Sequence, residues 1–314
     1  MKRRRFIHQA VSSAMLAPFV PVPLLSGAHR TESATVPKLC IFSKHLQWLD
    51  YREMAALAAK IGFTGIDLTV REGGHVQPER VTRDLPEAVG LIRDAGLDVP
   101  MITTGITDPD DPVTWQVLET AGKLGIPLYR TGWFIYREGE PVADQLGQAA
   151  SQLQKLQQIN RDNRIAASYQ NHSGSYIGSS GWDLLRIIEG LDPRWTGVQY
   201  DIRHAMVEGP ESWPYVLELL APYVNSLDIK DFTWTESEGN QPLLTNVPLG
   251  EGMVPFNAYL EKLRQLRIGA DFSIHYEYPL GGAEHGSTTL EIPVEEFIGK
   301  VRADLDFMKQ LLQN

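Results

Sequence analysis

Short β-prone segments and longer amphipathic segments alternate along this chain from Lys38 to its end. The first β-prone segment, residues 39–43, precedes residues 51–61, in which apolar side chains recur at the three- and four-residue spacing of a helix. Eight such pairs follow one another, and the last amphipathic segment covers residues 294–312. Eight βα pairs within about 250 residues is the expected pattern of a closed (β/α)8 barrel.

An open, doubly wound sheet is the alternative arrangement for the same alternation. Such sheets usually carry a glycine-rich phosphate-binding turn after the first strand, whereas residues 43–45 read Ser-Lys-His. No linker rich in Pro, Gly or Ser separates the pairs. The sequence therefore predicts one α/β domain, a single (β/α)8 barrel over residues 38–314. The longest irregular stretches, 233–252 and 278–291, follow strands on the face where a barrel places its active site.

The first 28 residues have the composition of an export signal. A basic start is followed by an apolar run over 11–25 and by the small residues Ser-Gly-Ala at 26–28. The run is too short and too interrupted by proline to span a membrane as a stable helix. Arg-Arg-Arg-Phe at 3–6 resembles a twin-arginine signal. We predict a signal peptide at 1–28, a short linker at 29–37 and a periplasmic or other extracytoplasmic location. A disordered basic tail or a lipid-surface anchor is the alternative.

The charge of the chain excludes some partners. The formal net charge is −10, and the first 28 residues contain four basic and no acidic residues, so the mature chain is more acidic still. An acidic chain has no electrostatic attraction for nucleic acid or for anionic lipid. We therefore expect no nucleic-acid partner and no stable membrane insertion after signal cleavage. Cys40 is the only cysteine, so no intramolecular disulfide can form.

Polar or aromatic residues stand at or just after the end of every β-prone segment. Because the carboxyl ends of all strands in such a barrel open on one face, we expect these side chains to share one rim. They are Lys44, His45, Asp67, Arg71, Thr103, Thr104, Arg130, Trp133, Gln170, Asn171, His172, Asp201, His204, Asp228, Lys230, Asp231, His275 and Glu277.

Several of these residues belong to short motifs whose order and spacing resemble the xylose-isomerase-like TIM barrel superfamily. That group holds sugar isomerases, epimerases, inosose dehydratases and class II abasic-site endonucleases. The resemblance implies a TIM barrel from about Lys38 to the C-terminus, but it does not name the substrate. The motifs are Gly-Phe-Thr-Gly-Ile-Asp67, Gln-Asn-His172, Asp201-Ile-Arg-His204-Ala, Ile-Lys-Asp231-Phe, Val-Pro-Leu-Gly-Glu-Gly252 and Ser-Ile-His-Tyr-Glu277.

The resemblance also implies a metal site, in an altered form. In the sugar epimerases of that superfamily, Glu, Asp, His and Glu at the ends of strands five to eight hold one divalent metal. Asp201 matches this pattern, whereas Gln170 stands in place of the first Glu and Asp228 in place of the His. At strand eight, either His275 or Glu277 takes the last position. The implied variant site consists of Gln170, Asp201, Asp228 and His275, with mixed O and N donors suited to Mn²⁺, Zn²⁺, Co²⁺ or Fe²⁺.

Three residues are the predicted catalytic groups. We expect His204 and Glu277 to move protons and Lys230 to neutralise an enolate oxygen, although Lys230 could instead pair with Asp201 or Asp231. Because a neutral glutamine at the end of strand five cannot act as a base, a one-base reaction is favoured over a symmetric two-base epimerisation. The predicted substrate-binding residues are His45, Arg130, Trp133, Asn171 and His172. Arg130 could instead pair with rim carboxylates, Trp133 could pack in the core under a loop, and His172 could be a hydrogen-bonded part of the pocket wall.

The sequence thus predicts an exported enzyme that isomerises or epimerises a sugar or keto-sugar through an enediolate. Elimination or hydration of a keto-sugar is one alternative. A sugar-binding barrel that has lost its metal site and its activity is another. An abasic-site endonuclease is disfavoured, because it needs a basic face for DNA. The expected partner is a small sugar, and an oligomer is compatible with this interpretation.

Overall fold

The computed structural model of this protein describes residues 37–313. The predicted signal peptide (1–28) lies outside this range, as does the predicted linker (29–37) except for its last residue. Within the described range, no helix has the length and apolar character needed to cross a membrane.

Eight parallel strands close into a barrel in the order β1-β10-β7-β6-β5-β4-β3-β2, and two further strands form a separate hairpin. This confirms the predicted single (β/α)8 barrel and excludes the open sheet. The strands are β1 Leu39–Phe42, β2 Gly65–Thr69, β3 Asp98–Thr103, β4 Leu128–Arg130, β5 Ala166–Gln170, β6 Thr196–Asp201, β7 Val224–Ile229, β8 Asp231–Glu236, β9 Pro242–Val247 and β10 Phe272–Ile274.

The helices cover the outside of the barrel. The first is capped at its start by Asp50, whose side chain accepts the backbone N–H of Glu53 in a capping box, and at its end by Gly62 in the left-handed region. Its buried residues, Met54 and Ile61 among them, pack toward the strands. The helices are α1 Tyr51–Ile61, α2 Val81–Asp94, α3 Pro112–Lys123, α4 Val142–Asn163, α5 Gly181–Ile188, α6 Ile202–Glu208, α7 Trp213–Leu220, α8 Phe256–Gln265 and α9 Val294–Gln313.

The barrel strands are almost continuously buried, as expected for a parallel sheet covered by helices. Near the carboxyl ends of the strands the interior becomes polar. Asp67 of β2, for example, accepts hydrogen bonds from Thr103 Oγ1 at 2.7 Å and from Ser273 Oγ at 2.9 Å. The apolar layers thus stabilise the barrel, and the polar side chains above them are held by bonds between strands.

The expectation of an irregular stretch over residues 233–252 is wrong for its first part. β8 and β9 pair in antiparallel fashion from Asp231 opposite Val247 to Glu236 opposite Pro242, and the hairpin extends from the end of β7. Thr233 and Thr235 lie on this hairpin, where β-branched residues are favoured. A second unpredicted element is α6, which begins directly after β6.

Asp231 anchors the hairpin and the loop behind it. Its Oδ1 accepts the backbone N–H groups of Phe232 and Val254, and its Oδ2 accepts those of Gly250 and Gly252, at 2.8 to 3.1 Å. Four backbone bonds to one buried carboxylate hold the Val-Pro-Leu-Gly-Glu-Gly motif against the end of β7. Asp231 therefore has a structural role in this fold.

Candidate active site

The strand ends singled out in the sequence meet at the carboxyl face of the barrel. β5, β6, β7 and β10 are consecutive neighbours there, and Asp201 is aligned with Asp228 across β6 and β7. We refer to the side chains that come together on this face as the rim cluster. Its members are Gln170, Asp201, His204, Asp228, Lys230, His275 and Glu277.

Gln170 ends β5 and lies between a cation and two carboxylates. Its side-chain oxygen accepts a hydrogen bond from Arg130 Nη1 at 3.1 Å. Its amide nitrogen donates to Asp201 Oδ2 at 3.0 Å and also to Asp228 Oδ2. Because only the amide nitrogen can donate to carboxylates, the neighbours determine which way the amide faces. A glutamate at this position would instead bring a third negative charge against the two aspartates.

Lys230 follows β7 and is buried beside Asp201. Its Nζ lies 2.9 Å from Asp201 Oδ2 and 3.1 Å from His204 Nε2. The other Asp201 oxygen accepts the backbone N–H of His204 at 3.1 Å and so caps the first turn of α6. Burial opposes ionisation of Asp201, but the adjacent ammonium outweighs it and lowers the pKa of this carboxyl. Of the two carboxylates considered as its partner, Lys230 pairs with Asp201, because Asp231 is held by backbone N–H groups.

His204 lies in the first turn of α6 with both ring nitrogens in contact. Its Nδ1 is 2.8 Å from Ser173 Oγ and 3.0 Å from Arg203 Nη1, and its Nε2 faces Lys230. Burial, followed by the charges of Lys230, His172 and Arg203, lowers the pKa of this imidazole well below its usual value. The ring is therefore neutral at neutral pH.

Asp228 lies inside the barrel and is contacted from three strands. Gln199 Nε2 donates to its Oδ1 at 2.6 Å, and the Gln170 amide donates to its Oδ2. His275 Nε2 lies 3.3 Å from Asp228 Oδ1, and the His275 ring stacks on Phe42 with 4.3 Å between centroids. Burial raises the pKa of Asp228 above its usual value. The contacts from Gln199, Gln170 and His275 hold this carboxyl in place.

Glu277 is the most accessible carboxylate of the rim cluster. Its side chain is 28% exposed, whereas those of Asp201 and Asp228 are fully buried. Lys44 Nζ lies 3.2 Å from Glu277 Oε1. Burial opposes ionisation of Glu277, but Lys230 and Lys44 outweigh it and hold the pKa of the carboxyl well below its usual range. An ionised carboxylate thus reaches the open side of the cluster.

Arg130, Trp133 and His172 form one wall beside the cluster. The Arg130 guanidinium lies 4.5 Å from the Trp133 ring centroid, and His172 lies 4.9 Å from Trp133 and 4.0 Å from His204 between ring centroids. Burial first, and then Lys230, lowers the pKa of His172 to about 4. Among the described residues, Arg130 Nε and Trp133 Nε1 are buried and have no hydrogen-bond partner. Buried donors without a protein partner are candidates for a contact with a ligand.

His45 and Asn171, the other two predicted substrate-binding residues, mainly contact the backbone. His45 Nε2 accepts the backbone N–H of Tyr276 at 3.0 Å, so its Nδ1 donates to the carbonyl of Ala283 at 3.1 Å. Asn171 donates to the carbonyl oxygen of Asp201 at 3.0 Å and accepts its N–H at 2.8 Å. Both side chains brace loops around the rim, so their predicted role in substrate binding has no support from this geometry.

Three contributors to the site are absent from the sequence-based set. Gln199 donates to Asp228 from within β6, and a glutamine inside a buried strand was the available signal. Ser173 contacts His204. Asn246 of β9 accepts from Arg203 Nη2 at 2.8 Å and donates to the backbone carbonyl of Glu277, so the hairpin helps to close one side of the rim. No local pattern marks Ser173 or Asn246.

The four predicted metal ligands come together but do not fit a divalent metal in this arrangement. The Gln170 oxygen faces Arg130, and its amide nitrogen, which is not a ligand atom, faces the carboxylates. Asp201 already has Lys230 as its counter-charge. Across residues 37–313, no three His, Cys, Asp or Glu side chains are grouped so that they could hold a metal ion. The expected Mn²⁺, Zn²⁺, Co²⁺ or Fe²⁺ site on Gln170, Asp201, Asp228 and His275 is therefore not matched by the geometry.

Solved structures of similar fold include a D-psicose 3-epimerase of Clostridium cellulolyticum H10, with a TM-score of 0.66 and 14% identity over 88% of this chain and 99% of that one. A 3-keto-D-glucoside 4-epimerase of E. coli has a TM-score of 0.63 and 14% identity over 88% and 100% of the two chains. A probable 3-DHS dehydratase of Bacillus anthracis has a TM-score of 0.63 and 13% identity over 87% and 98%. At these identities, the likeness establishes the fold alone.

Comparison with family models is more specific than comparison of folds. Among curated proteins, no sequence matches this chain. A family model described as xylose isomerase-like TIM barrel matches residues 55–310, which is most of the chain. The matched region includes every member of the rim cluster. This chain therefore belongs to the xylose isomerase-like TIM barrel family.

Proposed function

We propose that this protein is an enzyme of the isomerase or epimerase kind that acts on a small sugar or keto-sugar. The proposed reaction moves a proton at a carbon next to a carbonyl group. Membership of the xylose isomerase-like family supports the proposal, and so do the activities of two structural neighbours, a D-psicose 3-epimerase and a 3-keto-D-glucoside 4-epimerase.

The observation that carries the proposal is the pairing of one ionised, accessible carboxylate with a buried cation. Glu277 faces the open side of the rim cluster and is ionised, so it can accept a proton from carbon. Lys230 lies deeper and can donate a hydrogen bond to the oxygen on which negative charge develops. A base and an oxyanion partner together are what formation of an enediolate requires.

The remaining rim residues have supporting roles in this proposal. His204 is neutral, and its Nε2 can accept a hydrogen bond from Lys230 and so orient the ammonium. Arg130 Nε and Trp133 Nε1, which have no hydrogen-bond partner among residues 37–313, bind sugar oxygens. The Trp133 and His172 rings form an aromatic wall for the sugar face.

Elimination of water or an alcohol from a keto-sugar is the second candidate reaction. Gln170 favours it, because a neutral amide at the end of β5 removes the opposed second base of a two-base epimerase. Elimination needs one base to remove the proton and a leaving group on the next carbon. One structural neighbour is a probable dehydratase.

Solvent deuterium exchange tests both reactions. The purified chain is incubated in D₂O with a panel of ketopentoses, ketohexoses and keto-glycosides, and proton NMR follows both exchange and product formation. We expect carbon-bound deuterium with wild type and its loss in Glu277→Gln, whereas Glu295→Gln, in the first turn of α9, serves as the matched control. Binding without exchange or turnover for every member would instead favour a non-catalytic sugar-binding barrel.

We also propose that the protein is exported to the periplasm or another extracytoplasmic compartment. The support is the order of basic, apolar and small-residue segments in residues 1–28. Expression of the full chain beside a variant with Arg3 and Arg4 both replaced by Lys, followed by fractionation, tests this. Wild type in the extracytoplasmic fraction and retention of the variant would support it, and equal distribution of the two would reject it.

A further inference from the structure

We propose that the Lys230 ammonium takes the place of the divalent metal in this barrel and acts as the electrophile that stabilises the substrate oxyanion. The substrate in this inference is taken from the proposed function. The prediction about metal binding does not depend on that function. Three features of the rim cluster support it: the contacts of Lys230, the orientation of Gln170 and the balance of charge.

The first feature is the position of Lys230. Its side chain is 5% exposed, and its Nζ contacts Asp201, a carboxylate whose place and type match a metal ligand of the family. The same Nζ contacts His204 Nε2. An ammonium group has three N–H bonds, and these contacts account for two, which leaves one for a substrate oxygen.

The second feature is the orientation of Gln170. Both carboxylates that would ligate a metal accept hydrogen bonds from its amide nitrogen, and its oxygen accepts one from Arg130. Turning the amide to offer its oxygen to a metal would break all three bonds. It would also place an NH₂ group against the guanidinium. The Gln170 side chain thus connects Arg130 to Asp201 and Asp228 by hydrogen bonds. A metal ligand would instead need its oxygen free to face the metal.

The third feature is the charge balance. Asp201 and Asp228 are the two carboxylates among the implied ligands; Lys230 Nζ lies 2.9 Å from the first, and His275 Nε2 lies 3.3 Å from the second. A divalent metal added here would face a buried ammonium at short range, and repulsion between buried cations is strong. The resident Lys230 ammonium therefore supplies positive charge beside Asp201 in place of a divalent ion.

The chemistry balances without a further reactant. Glu277 takes the proton from the carbon next to the carbonyl, and the electrons of that C–H bond form the C=C bond of the enediolate. The carbonyl π electrons move to its oxygen, where a Lys230 N–H donates a hydrogen bond. In isomerisation, Glu277 returns the proton to the former carbonyl carbon, the neighbouring hydroxyl loses its proton as it becomes the new carbonyl, and the oxyanion gains a proton to become a hydroxyl. In elimination, the oxyanion re-forms the carbonyl, the C=C electrons expel the leaving group from the next carbon, and that group takes the proton from Glu277.

Metal binding is the direct test, and it needs no substrate. The purified chain is dialysed against chelator, incubated with MnCl₂ and examined by elemental mass spectrometry and by thermal unfolding. We expect wild type to retain no stoichiometric Mn²⁺ and to show no shift in Tm. The double variant Gln170→Glu/Lys230→Met restores a carboxylate and removes the ammonium, so it should bind Mn²⁺ and gain Tm by mass action. Gln170→Glu/Lys44→Met, which loses a different rim lysine, should not.

Stoichiometric Mn²⁺ in wild type that is lost in Asp201→Asn would overturn the inference. So would Mn²⁺ binding by the Lys44 control equal to that of the Lys230 double variant. Circular dichroism checks that each variant is folded, and Lys230→Arg keeps the charge if Lys230→Met does not fold. Failure of the proposed function is recognised separately, as absence of deuterium exchange with every keto-sugar.

Activity supplies the second readout. With any substrate that exchanges deuterium, we expect Lys230→Met to lower kcat by about 100-fold or more, the usual effect of removing one oxyanion donor. Exchange by wild type should be unchanged by EDTA. Loss of wild-type exchange in EDTA with recovery on adding Mn²⁺ would overturn the role of Lys230.

Discussion

Asn171 and Asp201 are joined by two hydrogen bonds in opposite directions. The Asn171 amide donates to the backbone carbonyl of Asp201 at 3.0 Å, and its oxygen accepts the backbone N–H of Asp201 at 2.8 Å. The bonds connect the ends of β5 and β6, and the Asp201 side chain in turn contacts both Gln170 and Lys230. The position of the Asp201 carboxylate therefore depends on a side chain that itself has no charge.

Replacement of Asn171 should affect stability more than substrate affinity. Asn171→Ala leaves a buried backbone N–H and a buried carbonyl without partners, so we expect the free energy of unfolding to fall by about 1–3 kcal/mol. Urea unfolding measures this, with KM determined in parallel. Unchanged stability together with a large rise in KM would mean that Asn171 binds substrate directly, as the sequence predicts.

Trp133 should contribute to substrate binding through its indole N–H. Trp133 Nε1 is buried and has no hydrogen-bond partner within residues 37–313, so Trp133→Phe removes no bond from the folded protein. We expect KM to rise by about tenfold, the value of one hydrogen bond, with a smaller effect on kcat. Trp115→Phe, on the exposed side of α3, is the control. Equal KM values for wild type and Trp133→Phe would exclude this contact.

Asp304 of α9 should make stability depend on pH. Burial raises the pKa of Asp304 to about 7, although it accepts hydrogen bonds from Tyr278 and from the backbone of Leu249. The unfolded value is about 3.9, so the folded state binds this proton more tightly, and the stabilisation is complete below about pH 4 and lost by about pH 7. Asp304→Asn has no carboxyl to titrate at this position, so its free energy of unfolding should lack this dependence on pH.

We therefore expect the free energy of unfolding of wild type to fall by about 2 kcal/mol relative to that of Asp304→Asn between pH 5 and pH 8. Urea unfolding at both pH values measures the difference, and Asp306→Asn, at an exposed position of the same helix, is the control. Parallel pH dependence of wild type and Asp304→Asn would show that this carboxyl does not titrate in that range.

Gly252 should tolerate no side chain. A Cβ there would lie 2.2 Å from Asp231 Oδ1 and 2.4 Å from the carbonyl oxygen of Phe232. Gly252→Ala should therefore displace the loop from Asp231 and lower the free energy of unfolding by about 1–3 kcal/mol. Gly239→Ala, in the hairpin turn with its nearest atom at 4.0 Å, should be nearly neutral by thermal unfolding. Equal losses in the two variants would argue against the anchoring role of Asp231.

The sequence predicted the barrel because alternation of β-prone and amphipathic segments is a local signal repeated eight times. It also located the rim cluster, since residues at the ends of parallel strands must meet on one face. The hairpin of β8 and β9 was missed, although Phe232, Thr233 and Trp234 have β propensity. The surrounding polar and glycine residues of 236–241 obscured that signal.

The sequence by itself determined the fold, the set of polar residues on one face and the neutral character of Gln170. Only the tertiary structure decided that Lys230 pairs with Asp201, that Asp231 anchors a loop, and that the Gln170 oxygen faces Arg130. The physical reason is that backbone periodicity follows from neighbours along the chain. The partner of a buried charge depends instead on distances of a few ångströms between strands far apart in sequence.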